Sequence, residues 1–267
     1  VRGERWSQVE AKAVIDAEGV HAGLLKKANL PSPRKDAIVI GVQGYSSRVS
    51  DIEPESVEVY LGSSYAPGFF AWIIPRKDGS AKVGLAANRG NPRTLLEHFV
   101  TEHPIASRKI LDPLTDISFH PIPLGGPLPR TYASGLLVVG DAASQVKPTT
   151  GGGIVFGLTC SQIAGDIAAE SAAAGDCSSQ VLSRYQESWR EMLGREFTIG
   201  RLTRRVLSGI SDTAIDRIFW IGKTFHVENS IRQISEIDFE EVILRDSLRK
   251  PNVALAFVCS LLTCLLP

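Results

Sequence analysis

The feature that most constrains this chain is the run GLLVVGDAASQVKPTTGGGIVFGLTCSQIAGDIAAE, from Gly135 to Glu170. An apolar strand ends at Gly140-Asp141, a short loop containing Pro148 follows, and three consecutive glycines lead into a long helix of small residues. A strand end and a helix start joined in this way bring a carboxylate and several free backbone N–H groups to one place. The run therefore predicts a site at which the backbone approaches its ligand closely.

The chemistry of these groups narrows the class of ligand. A carboxylate only accepts hydrogen bonds, so Asp141 suits the hydroxyl groups of a polyol chain. The positive end of the helix suits a phosphate or the charge of a reduced ring carbonyl, and the glycines leave room for a flat ligand. A simpler interpretation is that the run only joins a strand to a tightly packed helix. The residues predicted to bind the ligand are Gly140, Asp141, Pro148, Gly151, Gly152, Gly153 and Ile154.

Composition excludes several other classes of function. The chain has 267 residues, of which 43% are hydrophobic, and its 29 basic side chains balance 29 acidic ones. This length allows a large core or two subdomains, and the balanced charge gives no general attraction for nucleic acid. The cysteines form no CxxC pair and have no histidine at metal-ligand spacing. We therefore expect neither a metal site nor a disulfide framework. The cysteines are Cys160, Cys177, Cys259 and Cys264.

The middle of the chain has the pattern of an antiparallel sheet followed by a helix. A hairpin is predicted at RKDGSA, because Asp78-Gly79 supplies the positive φ that a tight reversal needs. A helix is predicted from Asn91 to Ile110, and beyond Ser178 apolar residues recur at helical spacing up to Phe197. Strands are predicted at residues 37–45, 56–62, 68–75 and 81–88.

The two ends of the chain also lead to expectations. The chain begins at Val1 without methionine, no signal peptide is visible, and both ends look like cuts through a longer protein. The apolar run of fifteen residues from Val253 is shorter than the about 20 residues of a spanning helix. We therefore predict a buried or interfacial terminal helix, and a cytoplasmic location with peripheral contact to a membrane.

Three segments, taken in order, resemble one family. The run GLLVVGDAASQVKPTTGGGI is similar to the second flavin fingerprint of the para-hydroxybenzoate-hydroxylase-like flavoproteins. Within that group, APGFFAWIIPRKDGSAKVGLAAN resembles the tyrosine-x-tryptophan-x-phenylalanine-proline segment of the geranylgeranyl reductases. VIDAEGVHAGLLKKANL resembles the Asp-Gly fingerprint of the same family, with Glu18 in place of its aspartate and Ala22 in place of a serine. The positions of the aromatic segment are occupied by Phe70, Trp72, Ile74 and Pro75.

The resemblance implies an α/β fold. It implies a partial FAD-binding domain that lacks its N-terminal βαβ unit, because no GxGxxG follows an N-terminal strand. It also implies an α+β substrate domain with an antiparallel sheet, and C-terminal helices. The implied domains are a remnant of the FAD-binding domain at 1–35, the substrate domain at 36–130, the FAD-binding return segment at 131–175 and the helical region at 176–267.

The resemblance further implies a cofactor and a reaction. FAD is the implied cofactor, with Asp141 on its ribityl chain, and reduced flavin would deliver hydride to C=C bonds of a geranylgeranyl lipid. Phe70, Trp72 and Pro75 would line the apolar channel, and the electron donor would be a ferredoxin or NAD(P)H. No catalytic residue is assigned. Two alternatives stay open: an FAD-dependent monooxygenase or quinone-linked dehydrogenase of the same superfamily, and an inactive fragment that binds apolar ligands.

Overall fold

The computed structural model describes residues 9–232 and 239–265. The chain divides into two compact units, and each unit is built from two separate segments. The architecture is mixed α/β with an antiparallel sheet and C-terminal helices, so the predicted fold class is confirmed. The first unit comprises residues 1–34 and 125–197, and the second unit comprises residues 35–124 and 198–267.

The regular elements of the described residues are numbered in chain order. The strands are β1 (Val14–Asp16), β2 (Ile38–Ser46), β3 (Glu58–Tyr60), β4 (Ala71–Pro75), β5 (Ala81–Ala87), β6 (Thr115–Pro123), β7 (Tyr132–Ala133) and β8 (Leu136–Val138). The helices are α1 (Gly23–Lys27), α2 (Pro92–Glu102), α3 (Ala106–Lys109), α4 (Ile154–Ala174), α5 (Ser179–Leu207), α6 (Asp212–Thr224), α7 (Val227–Ile231), α8 (Glu240–Leu248) and α9 (Pro251–Leu265).

The first unit is organised around a small sheet in the order β1, β8, β7. Strand β1 pairs in parallel with β8, and β7 pairs antiparallel to β8 on its other side. All three residues of β8 are buried, as expected for a continuous apolar strand with both faces covered. The carboxyl ends of β1 and β8 therefore lie at the same edge of the sheet, where the predicted Gly-Asp site begins.

Helix α5 buries the apolar residues that helical spacing predicted. Each of these side chains is less than 4% exposed, which confirms the periodicity read from the sequence. The helix begins in the first unit, and its residues from Thr198 onward belong to the second. The buried series is Leu182, Tyr185, Trp189, Leu193 and Phe197.

The second unit contains an antiparallel five-stranded sheet in the order β3, β4, β5, β2, β6. All four predicted strands of residues 37–88 are present, and β6 adds a fifth strand at one edge of the sheet. The predicted hairpin joins β4 to β5: Gly79 has a φ of +83°, and the N–H of Arg76 donates to the carbonyl of Ser80 at 2.8 Å. Helix α2 packs on one face of this sheet, where alternate strand residues such as Ile73, Val83 and Leu85 form a fully buried core with Phe99.

The single helix predicted from Asn91 to Ile110 is wrong. The structure has two helices there, α2 and α3, separated at His103-Pro104. Proline disfavours the helical conformation of the residue before it and lacks an N–H. The imidazole Nδ1 of His103 instead accepts the N–H groups of Ile105 and Ala106, at 3.2 and 3.1 Å, and so covers the start of the second helix.

Candidate functional site

The candidate site begins where β8 ends. The N–H of Val139 donates to the carbonyl of Asp16 at 2.9 Å, which extends the parallel pairing by one residue. The chain then enters a short 3₁₀ helix, Gly140–Ala143, and Gly140 has a φ of +62° that only glycine adopts at little cost. This turn places Asp141 at the carboxyl edge of the sheet.

Asp141 faces the start of helix α4. A β-carbon on Gly153 would lie 2.9 Å from the Oδ1 atom of Asp141 and 2.9 Å from Cγ1 of Val146. Gly153 is the N-cap of α4, so the carboxylate lies beside the first turn, where N–H groups have no intrahelical acceptor. The acid and the helix start that the sequence predicted to converge are therefore brought together.

Burial changes the acidity of this carboxyl group. It raises the pKa of Asp141 above that of an ordinary aspartate, because the ionised form loses hydration. A ligand hydroxyl that donates to the carboxylate would replace part of that hydration, and it would favour the ionised form.

The loop between the 3₁₀ helix and α4 is folded on itself. The N–H of Gly151 donates to the carbonyl of Lys147 at 2.9 Å, and the N–H of Lys147 donates to the carbonyl of Gly152 at 3.0 Å. The N–H of Gly152 points to the hydroxyl of Thr150 at 3.3 Å. The amides of Gly151 and Gly152 thus have acceptors within the loop.

The remaining predicted residues differ in exposure. Pro148 is buried, so it shapes the loop from the inside, whereas Ile154 is 79% exposed at the start of α4. Gly157 stands one turn into the helix, where a β-carbon would lie 3.5 Å from Cα of Gly140. This close approach brings α4 against the strand end.

Two acidic residues that the sequence did not assign lie at the end of β1. Asp16 is 2% exposed, its Oδ1 accepts the N–H of Glu18 at 3.0 Å, and its Oδ2 has no partner among the residues that the structure describes. Burial raises the pKa of Asp16. Glu18, which replaces the aspartate of the fingerprint, accepts the N–H of Leu24 through Oε1 at 2.6 Å and so holds the start of α1.

The predicted substrate residues lie in the second unit, on and beside strand β4. The strand residues Ala71 and Ile73 are fully buried in the core, so Trp72 faces the opposite side of the sheet. The rings of Phe70 and Trp72 meet edge to face with centroids 5.9 Å apart. Pro75 falls on the core side, because it lies three residues beyond Trp72, and the structure does not bring it together with the two rings.

A glycine makes room for the tryptophan. Gly84 stands opposite Trp72 on β5, and a β-carbon there would lie 2.6 Å from Cζ2 of the indole. The aromatic row continues beyond Phe70, whose ring stacks on that of Phe69 with the two centroids 4.2 Å apart. The guanidinium carbon of Arg204 lies over the Phe69 ring, 5.1 Å from its centroid. The second unit therefore carries an aromatic platform, made of Phe69, Phe70 and Trp72, with a cation at one end.

Two further observations limit other kinds of site. A groove of about 450 Å³ lies between α2 and residues 110–117, and none of the predicted site residues line it. In residues 9–232 and 239–265 no cluster of three His, Cys, Asp or Glu side chains is arranged to hold a metal, and the side chain of Cys264 lies outside those described. Over the same residues, no helix has both the length and the apolar character needed to cross a bilayer.

The fold is that of the flavin-dependent oxidoreductases. A flavin-dependent brominase shares the fold with a TM-score of 0.58 at 16% identity, over 95% of this chain and 63% of that one. A geranylgeranyl bacteriochlorophyll reductase-like protein from Thermoplasma acidophilum is more similar, with a TM-score of 0.77 and 25% identity over 94% of this chain and 62% of that one.

Sequence comparison identifies the family. Residues 37–114 match the geranylgeranyl reductase catalytic domain. Digeranylgeranylglycerophospholipid reductase 2 of Methanothermobacter thermautotrophicus is 35% identical over 216 residues, which are 79% of this chain and 54% of that relative. The chain belongs to the geranylgeranyl reductase family, and it spans about half the length of that relative.

Proposed function

We propose that this chain is part of an FAD-dependent reductase that saturates C=C bonds in the geranylgeranyl chains of membrane lipids. The observation that carries the proposal is the convergence of Asp141 and the start of α4 in a chain of this family: Oδ1 of Asp141 lies 2.9 Å from where a β-carbon on Gly153 would be. The substrate class is taken from the relatives, which are named for a digeranylgeranylglycerophospholipid.

The residues at the Gly-Asp turn fit the flavin half of FAD. Asp141 would accept hydrogen bonds from ribityl hydroxyls, and the N–H groups of Gly153 and Ile154 would donate to the negatively polarised edge of the ring. Gly152 and Gly153 leave space beside the helix start, as a planar ring requires. When bound, FAD would supply the hydride for alkene reduction.

The aromatic platform of the second unit supports binding of a prenyl chain. Phe70 and Trp72 offer partly exposed apolar surface on the side of the sheet away from the core, and burial of apolar area would drive the association. The predicted role of Pro75 is not retained in this proposal, because its ring lies on the core side.

The proposal includes a reductant and a membrane. A ferredoxin or NAD(P)H would reduce the flavin, and titration of the flavin-loaded protein with each donor identifies which one does so. Peripheral contact with the cytoplasmic face of a membrane is supported by Phe219 and Trp220, which are 65% and 68% exposed on α6 beside Lys223. In a liposome flotation assay the chain should float, and a chain that stays wholly in the soluble fraction contradicts this part.

The cofactor is tested by adding FAD to the purified protein and recording flavin absorbance after gel filtration. Asp141→Asn should weaken FAD binding by about tenfold or more, since a hydrogen bond to a charged group contributes about 1.5–3 kcal/mol. Asp166→Asn is the matched control, because Asp166 is exposed on α4 and the same charge is removed. Absence of bound flavin in the unsubstituted protein would leave only a module that binds apolar ligands.

The reaction is tested with reduced flavin and a geranylgeranyl lipid under anaerobic conditions. Mass spectrometry should show the gain of two hydrogens for each bond reduced. A hydroxylated product that forms only with oxygen would instead identify a monooxygenase of the same fold.

A further inference from the structure

A buried glutamine links the Gly-Asp turn to helix α5. We propose that Gln145 and Tyr185 form a clamp that fixes the orientation of the Asp141 carboxylate. Both are then positioning residues for the binding of the flavin's polyol chain. The inference rests on the proposed function for its ligand, but the clamp itself is a property of the first unit and can be tested without FAD.

Gln145 closes the turn through two hydrogen bonds to one residue. Its side-chain Oε1 accepts the N–H of Gly140 at 2.9 Å, and its own backbone N–H donates to the carbonyl of Gly140 at 2.9 Å. Gly140 and Ser144 both have positive φ, at +62° and +55°, so the segment between them is tightly turned. Asp141 lies inside this closed segment, and its backbone direction depends on the closure.

Tyr185 connects the turn to the rest of the first unit. Its hydroxyl donates to the carbonyl of Val138, the last residue of β8, at 2.8 Å, and it accepts the side-chain amide of Gln145 at 2.9 Å. Both side chains are fully buried. Burial also raises the pKa of Tyr185, so the hydroxyl remains a donor. The strand end, the turn and α5 are thereby held as one hydrogen-bonded network.

The network can affect Asp141 because there is little free space between its carboxylate and the start of α4. Gly140, which the clamp holds, is the residue before Asp141, and Oδ1 of Asp141 lies 2.9 Å from where a β-carbon on Gly153 would be. Without the Gln145 amide, the partly buried N–H of Gly140 would lose its acceptor, and we expect the turn to rearrange in response. A rearranged turn would rotate the carboxylate away from the start of α4.

A second glutamine on α5 provides a matched control. The Oε1 of Gln186 accepts the N–H of Thr131 at 2.9 Å and its hydroxyl at 3.3 Å. This side chain is also buried and also ties α5 to the segment near the sheet, but it is bonded beside β7 and not to the Gly140 turn. Replacement of either glutamine by methionine keeps the volume and removes the amide.

The experiment compares Gln145→Met and Gln186→Met in the flavin-binding assay. Gln145→Met should raise the dissociation constant for FAD by about tenfold, because the partly buried N–H of Gly140 is left without its acceptor, whereas Gln186→Met should change it by about twofold or less. Tyr185→Phe, which keeps the ring and removes only the hydroxyl, should weaken binding in the same direction. It serves as the decisive variant if Gln145→Met does not fold.

A readout that needs no flavin separates the clamp from the proposed function. Amide hydrogen exchange at Gly140 should be accelerated in Gln145→Met and Tyr185→Phe but not in Gln186→Met. Unchanged exchange at Gly140, or equal loss of FAD affinity in the two glutamine variants, overturns the clamp. Failure of the unsubstituted protein to bind FAD overturns the proposed function and leaves the exchange result to decide the clamp.

Discussion

The Oδ1 atom of Asp141 lies 2.9 Å from the place where a β-carbon on Gly153 would be. Carbon atoms of real side chains do not approach so closely, so this glycine is what allows the carboxylate to reach the start of α4. The relationship joins a strand end and a helix start that are twelve positions apart in the chain.

Gly153→Ala should therefore both destabilise the protein and weaken FAD binding. The new methyl group would meet Asp141 and Val146, and overpacking of this kind costs about 1–3 kcal/mol. Thermal unfolding without FAD measures the loss of stability. A flavin titration measures the dissociation constant for FAD, which should rise by about tenfold. Gly152→Ala is the control for stability, because its nearest neighbours would be 3.4 and 3.6 Å away.

The raised pKa of Asp141 predicts a pH dependence of flavin binding. The ribityl hydroxyls need an ionised acceptor, and burial makes this carboxylate take up its proton at a higher pH than an ordinary aspartate does. Affinity for FAD should therefore fall as the pH is lowered through the raised pKa. The profile of Asp141→Asn should lack this fall. Parallel profiles for the two proteins would contradict a direct role for the carboxylate.

Asp16 should make the folded protein less stable at neutral pH. Its pKa is raised by burial, so the folded chain binds the proton more tightly than the unfolded chain, and stability falls as the pH rises from about 4 through the folded value. Asp16→Asn removes the ionisation, and it should raise the melting temperature at pH 7 with a gain that shrinks toward pH 4.

Asp176 is a control of opposite sign for that experiment. Hydrogen bonds from Ser178 lower the pKa of Asp176, so its contribution to stability is present at neutral pH and is lost as the pH falls through the lowered value. Asp176→Asn should lower the melting temperature at pH 7. If both variants shift it in the same direction, the assignment of the buried charge at Asp16 is wrong.

Gly84→Ala tests the aromatic platform. A β-carbon there would lie 2.6 Å from the indole of Trp72 and 2.6 Å from the carbonyl of Val42, so the ring must move or the strands must separate. We expect a loss of about 1–3 kcal/mol in the free energy of unfolding and weaker binding of a geranylgeranyl lipid. Affinity for FAD should stay unchanged, since Gly84 belongs to the second unit.

Gly165→Ala is the comparison for this substitution. Gly165 lies within α4 with no atom within 4 Å of the new methyl group, and alanine favours a helix by about 1 kcal/mol over glycine. It should leave stability unchanged or increase it. A loss equal to that of Gly84→Ala would show that the measured cost is not due to displacement of Trp72.

Local patterns in the sequence determined the strands, the long C-terminal helices and the Gly-Asp turn. Period-two and helical spacing reflect which side chains are buried, and a positive φ at a strand end favours glycine whatever the rest of the fold does. Reliance on local spacing also explains why one helix was predicted from Asn91 to Ile110. The apolar spacing continues across Pro104, but the proline interrupts the helix. The aromatic segment was assigned by resemblance, which carries no information about faces, so Pro75 was grouped with rings on the other side of the sheet.

The sequence by itself thus determined the elements of this protein and the residue types that converge on its site. Only the tertiary structure decided that Gln145 bonds to Tyr185, forty positions away, and that Gly84 lies beneath Trp72. It also decided that Asp16 is buried, with one carboxylate oxygen that has no partner within residues 9–232 and 239–265. The physical reason is that spacing along a chain reports local burial and backbone conformation. Hydrogen bonds and close contacts between distant residues depend on how the elements pack, and the sequence of a single segment does not determine that packing.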